Sequence, residues 1–241
     1  MAPSGLVVLA AVLGGASAWA ADIETTAPVF EPTSRYETRR VEEWTVLIHE
    51  RFAREQPMLA DETLALLRLQ LQQLVRLVPD KAVAKLRTVR IWVEEREPHH
   101  PCMAYHPDAA WLREHGMNPE KARCVEVANA RNFLNWTRQQ PSMVLHELAH
   151  AYHHQHVEGG FANADIRAAH ESAAASKAYD SVLRGDGRMD RAYALTNPME
   201  YFAEGSEALF GTNDFYPFVR AELERHDRLL YTLLLRLWGM D

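Results

Sequence analysis

His146 and His150 flank a glutamate in the run Pro141-Ser142-Met143-Val144-Leu145-His146-Glu147-Leu148-Ala149-His150-Ala151-Tyr152. This H-E-x-x-H spacing constrains the chain more than any other feature, because the two imidazoles act together only on a helix. There, residues four apart stand about 40° apart around the axis and about 6 Å apart along it. Both rings then reach one metal ion from one face, and Glu147 sits beside them, where it can take a proton from a water. Ser142 is the expected N-cap, with Pro141 just outside the helix, and Gly159-Gly160 is the expected end.

A catalytic zinc needs a third protein ligand and an open position. Three residues compete. His156 would complete a metzincin-like pattern, but the chain lacks the glycine that turns a third histidine back towards the metal. Without it, His156 lies about 9 Å along the axis and about 240° around. His153, His154 and His156 then read as helix-surface histidines or outer partners. Glu171 follows at a thermolysin-like distance, but Ala175 stands where a supporting acid would be needed. Glu200 and Glu204 lie four apart in an apolar run with Tyr201, Phe202, Ala203, Ala208, Leu209 and Phe210. A buried carboxylate is costly unless paired or metal-bound. Glu200 is therefore the favoured ligand and Glu204 the carboxylate expected to orient a ligand histidine, with Glu207 continuing an acidic face.

The chain has 241 residues, 47% of them hydrophobic and 24% charged, enough for one domain with a substantial core. A net charge of −7 argues against a nucleic-acid partner or an anionic membrane. Leu6 to Val12 is apolar, and Ala18-Trp19-Ala20 precedes Ala21 in the A-x-A form of a signal-peptidase site. Residues 1–20 are thus expected to be a signal peptide and the protein to be secreted, extracellular or periplasmic, with no stable membrane insertion afterwards. Two cysteines, Cys102 and Cys124, are expected to form a disulfide in an exported chain. Asn135-Trp136-Thr137 is an N-glycosylation sequon if the route is eukaryotic.

Residues 21–40 are polar, with Pro28 and Pro32, and read as a linker or lead-in to a domain over 41–241. Trp44–Ile48, Thr88–Val93 and Cys124–Ala128 have strand character, the last expected at the sheet edge beside the cleft, where an extended peptide adds as a further strand. Asp61 is the expected cap of a leucine-striped helix that Pro79 ends. Helices are also expected over about 164–183, from about Met199 to Phe210, and at the C-terminus. Together these imply an α+β fold, a small mixed sheet packed on helices with a C-terminal helical part.

His146-Glu147-Leu148-Ala149-His150 taken with Thr196-Asn197-Pro198-Met199-Glu200-Tyr201-Phe202-Ala203-Glu204 resembles the gluzincin zinc peptidases, in particular the peptidase domain of anthrax lethal factor. Gly211-Thr212-Asn213-Asp214-Phe215-Tyr216-Pro217-Phe218 is similar to runs in secreted zinc peptidases of this general type. The resemblance covers roughly residues 142–218. It implies a zincin-like fold, one Zn2+ held by His146, His150 and Glu200, and a peptide or protein substrate. It also implies a catalytic tyrosine shortly before the third ligand, the position of Tyr193. Ala149 stands where lethal factor has glycine, and that toxin's recognition and cell-entry domains have no counterpart here, so its substrates do not transfer.

The expected chemistry is zinc-assisted peptide hydrolysis, with Glu147 as general base and Tyr193 donating to the oxyanion. The rival is a secreted, non-catalytic zinc-binding or partner-binding module. Structural zinc sites are usually closed by four ligands, often cysteines, and no cysteine accompanies this motif.

Overall fold

The computed structural model describes residues 30–240. The expected signal peptide over 1–20 and the first part of the expected lead-in lie outside them. The rest of that lead-in is structured, contrary to expectation. Tyr36–Val41 forms strand β1, which pairs antiparallel with β2, Trp44–His49. Glu42 and Glu43 join them with positive φ values of 47° and 68°, the backbone twist that suits a two-residue hairpin. Lacking an Asn-Gly pair, this hairpin carries little local signal.

Helices α1 (Glu50–Glu55), α2 (Pro57–Leu77) and α3 (Asp80–Leu86) then lead to β3, Ile91–Val93, which runs parallel to β2. Helix α2 begins before the expected Asp61 cap because Pro57 opens it, a position where its missing N–H costs nothing. Next come β4 (Met103–His106), α4 (Ala109–Glu114), β5 (Cys124–Val127), α5 (Ala130–Trp136) and α6 (Met143–His156). Helix α7 (Ala164–Ser176) stops well short of Leu183, at Lys177 in the left-handed region. Val182–Leu183 and Met189–Asp190 instead form a small hairpin, β6 and β7. The chain closes with α8 (Pro198–Phe210), α9 (Arg220–His226) and α10 (Arg228–Trp238). Among the described residues this is a mixed α+β fold of ten α-helices and a small mixed sheet. No described helix is long and apolar enough to cross a membrane.

The main sheet has the order β1-β2-β3-β5-β4. Strand β5 is therefore interior, pairing parallel with β3 and antiparallel with β4. The edge beside the motif helix is β4, not the expected Cys124–Ala128 segment. Alternation along the strands divides the side chains cleanly. Val46, Ile48, Ile91, Val93, Val125 and Val127 join the main core, while Leu47, Trp92 and Cys124 form a small cluster on the other face. That second face also holds buried charge. Glu126 accepts from His106 Nε2 at 2.6 Å and from Lys121, whose ammonium also donates to Glu94 at 2.8 Å.

The register of β4 and β5 rules out the expected disulfide. Cys124 lies opposite His106, whereas the carbonyl of Cys102 accepts from Ala128 at the other end of the ladder. Four residues of strand separate those positions by about 13 Å, well beyond the ~7 Å Cα limit for a bridge. Both thiols are free and buried, Cys102 against Met143 Sδ.

Two helices form the centre of the helical layer. In α6, Val144, Leu148, Ala149 and Ala151 are fully buried, and α8 is buried from Tyr201 to Phe210. They pack antiparallel, with His146 against Glu207 and His150 against Glu200. Gly205 makes close packing of α8 on α10 possible, since a Cβ there would lie 2.7 Å from Leu230 Cδ2 and 3.0 Å from Leu234 Cδ1.

Candidate metal centre

Helix α6 carries His146 and His150 on one face, as the four-residue spacing requires. Ser142 occupies the N-cap position but makes no cap hydrogen bond. Its hydroxyl instead donates to Thr212 O at 2.9 Å and accepts from Thr212 N at 3.0 Å, tying the start of α6 to the segment after α8. A Cβ at Gly211 would stand 2.5 Å from that hydroxyl. Helix α8 starts more conventionally. Asn197 Oδ1 accepts from Met199 N and Glu200 N, both at 2.9 Å, with Pro198 in the first turn. The cap holds Glu200 in the first turn, where the helix dipole favours a carboxylate.

Three candidate ligand atoms converge between the helices. His146 Nε2 lies 3.0 Å from Glu200 Oε2 and 3.0 Å from His150 Nε2, and His150 Nε2 lies 3.3 Å from Glu200 Oε2. Zinc with nitrogen and oxygen ligands at about 2.0–2.1 Å in tetrahedral geometry separates neighbouring ligand atoms by about 3.3 Å. The triangle fits such an ion, and the N,N,O donor set suits zinc. Glu171 is exposed and stands outside this group, as does His156 at the last turn of α6.

The carboxylate that meets His146 Nδ1 is Glu207 rather than the expected Glu204. His146 Nδ1 donates to Glu207 Oε1 at 2.6 Å, while Glu204 Oε1 is 3.8 Å away, beyond hydrogen-bond range. Three acids at 200, 204 and 207 share a face of α8, so spacing cannot choose between the last two. The antiparallel crossing decides it by turning Nδ1 of His146 towards the C-terminal end of α8. A proton on Nδ1 leaves the Nε2 lone pair free for a metal. The acidic face that Glu207 continues is buried rather than solvated, with Glu204 and Glu207 each 3% exposed.

The electrostatics follow from that burial. Burial opposes ionisation of Glu200, but hydrogen bonds with His146 and His150 outweigh it and hold the carboxyl well below its usual range. Burial also disfavours a charged His146, and the bonds to Glu200 and Glu207 override it, raising the imidazole well above its ordinary value. Glu204 moves the other way, raised by burial and then by the charge of Glu207.

A cavity of about 200 Å3 opens beside this centre, and His146, Glu147 and Tyr193 line it together with Met103 and Trp136. Tyr193 starts a short 3-10 turn just before α8 and is 46% exposed. Burial and the nearby Glu200 charge raise its hydroxyl above the ordinary value. The expected catalytic pair thus shares one cavity. A larger cavity of about 470 Å3 lies elsewhere, at Tyr36, Glu94 and Lys121, away from the converging ligands.

Compared with protein-family models, curated proteins and solved structures, the chain matches none.

Of the other histidines on α6, His154 and His156 are partly exposed as expected, whereas His153 is not a surface residue. His153 is fully buried, packed between Phe161 and Phe202, and burial lowers its pKa to about 4. His154 stacks on Phe161, with Nδ1 2.8 Å from the Tyr105 hydroxyl of the edge strand. Their local signal was hidden because α6 is buried nearly all round, so no polar face marks which histidines point out.

Proposed function

We propose that this chain is a zinc-dependent endopeptidase of gluzincin type on a zincin-like fold, with His146, His150 and Glu200 as ligands. The observation that carries the reading is the convergence of those three ligand atoms within 3.0–3.3 Å beside a cavity lined by Glu147 and Tyr193. Bound there, zinc would supply a Lewis acid that polarises a scissile carbonyl and makes a water more acidic.

The chain's own groups do the rest. Glu207 holds the His146 ring and its tautomer through Nδ1. Glu147, next in sequence to a ligand, takes the proton of the attacking water and returns it to the leaving amine. The Tyr193 hydroxyl stays protonated near neutral pH and donates to the developing oxyanion. Strand β4 is the edge of the sheet nearest α6 and lends its outer side to an extended peptide through main-chain hydrogen bonds. The non-catalytic alternative gains nothing from this arrangement, because three ligands beside an open cavity leave a position for chemistry.

Glu147→Gln tests the reading. The variant should keep zinc and lose nearly all cleavage of a peptide library by the zinc-loaded protein. Full activity in that variant refutes the general-base role. Export belongs to the same proposal, on the strength of Leu6–Val12 and Ala18-Trp19-Ala20, and N-terminal sequencing of the secreted protein should begin at Ala21.

A further inference from the structure

The cavity beside Glu147 holds more acid than hydrolysis uses. Besides Glu147, its lining includes Glu204, Glu207 and Asp214. Glu207 is engaged by His146. The other two are 3% and 5% exposed, and each has a carboxyl oxygen, Glu204 Oε2 and Asp214 Oδ2, with no hydrogen-bond donor. Arg184 approaches Asp214 Oδ2 only to 3.6 Å. Burial raises the Asp214 carboxyl above its ordinary value despite that guanidinium. Buried carboxyl oxygens left without donors are desolvated without compensation, a cost that a donor-rich ligand would recover.

The walls indicate the shape of that ligand. Met103 and Met143 provide apolar surface, and Trp136, 41% exposed, stands at the lining with its indole free to stack. At about 200 Å3 the space suits one side chain rather than a whole small-molecule ligand. An apolar stem, an aromatic surface and two buried acids, each with one oxygen lacking a donor, match a long cationic side chain, whose stem packs while its head pairs. A guanidinium offers five N–H donors in a plane, enough for both acids at once.

We propose that this cavity is a specificity pocket for an arginine or lysine side chain of the substrate, with Asp214 and Glu204 as its recognition carboxylates. The proposal rests on the peptidase reading for its substrate class. It adds a requirement that H-E-x-x-H chemistry does not impose. The segment Gly211 to Phe218 contributes Asp214 because Ser142 fixes Thr212 and Gly185 N donates to Asp214 O at 2.7 Å. Both contacts hold the Asp214 backbone in place beside the metal centre.

Binding by the zinc-loaded protein can be followed by NMR at the Trp136 indole with three probes. Nα-acetyl-arginine amide carries only the side-chain cation, citrulline amide only an α-amine, and Nα-acetyl-citrulline amide neither. The expected result is at least tenfold tighter binding of acetyl-arginine amide than of acetyl-citrulline amide. Asp214→Asn should cut that ratio at least fivefold, and Glu204→Gln should do the same, so the test does not depend on one variant folding. A wild-type ratio near one, tighter binding of citrulline amide, or displacement of acetyl-arginine amide by a second equivalent of zinc overturns the proposal. Cleavage of paired arginine and citrulline peptides separates the two readings. Failure to cut either peptide counts against the peptidase, whereas equal cutting of both counts against the pocket alone.

Discussion

Replacing Glu207 tests most directly how the two central helices build the site. Glu207 Oε1 accepts from His146 Nδ1 at 2.6 Å, a short bond between a carboxylate and an imidazole N–H. Such charge-assisted bonds are about twice as strong as neutral ones, and losing the partner that orients a metal-bound histidine typically lowers metal affinity 10–100-fold. That range is about 1.4–2.7 kcal/mol. Glu207→Gln keeps the size and one acceptor oxygen but removes the charge, so zinc affinity should fall by about tenfold. Glu207→Ala also removes the acceptor and should approach about a hundredfold. Glu204 lies 3.8 Å from the same nitrogen, so Glu204→Gln should change affinity by less than about threefold. Its loss also relieves the repulsion between two buried carboxyls, which would offset any small penalty. The measurement is a zinc titration against a competing chelator at fixed pH, with circular dichroism to show that each variant folds. If Glu204→Gln weakens zinc as much as Glu207→Gln, the assignment from the crossing geometry is wrong.

Four further outcomes follow from the structure. Glu200→Ala should abolish stoichiometric zinc binding, read by metal analysis after gel filtration; full zinc content would move the third ligand elsewhere. Glu126 is held down to about 2 from an ordinary 4.5, because its bonds to His106 and Lys121 outweigh the burial that opposes its charge. A folded-state pKa below the unfolded one contributes stability above about pH 4.5 that is lost as pH falls towards about 2, on the order of 3 kcal/mol in all. Urea unfolding across that window should show the loss in the wild type and a much flatter profile in Glu126→Gln. Gly205→Val forces a branched side chain towards Leu230 and Leu234 and should cost about 2–3 kcal/mol, a fall in Tm of roughly 5–10 °C; an unchanged Tm would mean that α10 moves freely. Thiol titration of the purified, unreduced protein should find two free thiols in denaturant. In the native state Cys102, pushed up to about 12 by burial, should react far more slowly, and absence of thiols after unfolding would restore the disulfide.

Part of the fold was legible because some elements announce themselves locally. The β-branched and aromatic run at Trp44 became β2, and Asn197-Pro198 opened α8 where cap chemistry put it. Elements that depend on partners were harder to see. Strand β1 alternates weakly, with Glu37, Thr38, Arg39 and Arg40 exposed, and it is a strand because β2 offers it a free edge. The alanine-rich stretch stops at Ser176 because later residues pair as a hairpin held against Phe215 through Arg184. The C-terminal helix divides at Asp227, which caps α10 while accepting from the Tyr179 and Tyr201 hydroxyls. The buried charges on the second sheet face carry no local signal, since the β4–β5 pairing brings His106 to Glu126 and the turn before β5 folds Lys121 back onto it.

Spacing within a helix determined which candidate residues share a face. His146 with His150, and Glu200 with Glu204 and Glu207, are fixed relative to one another by the 3.6-residue turn, whatever surrounds them. Tertiary structure alone decided what those faces meet. The antiparallel crossing of α6 and α8 selected Glu207 over Glu204, the sheet order made β4 rather than β5 the edge, and the β4–β5 register kept the cysteines apart. Local periodicity is set by backbone hydrogen bonds between near neighbours. Choices between helices and between strands depend on burial and packing among residues distant in the chain, where equal spacings are physically equivalent until the core forms.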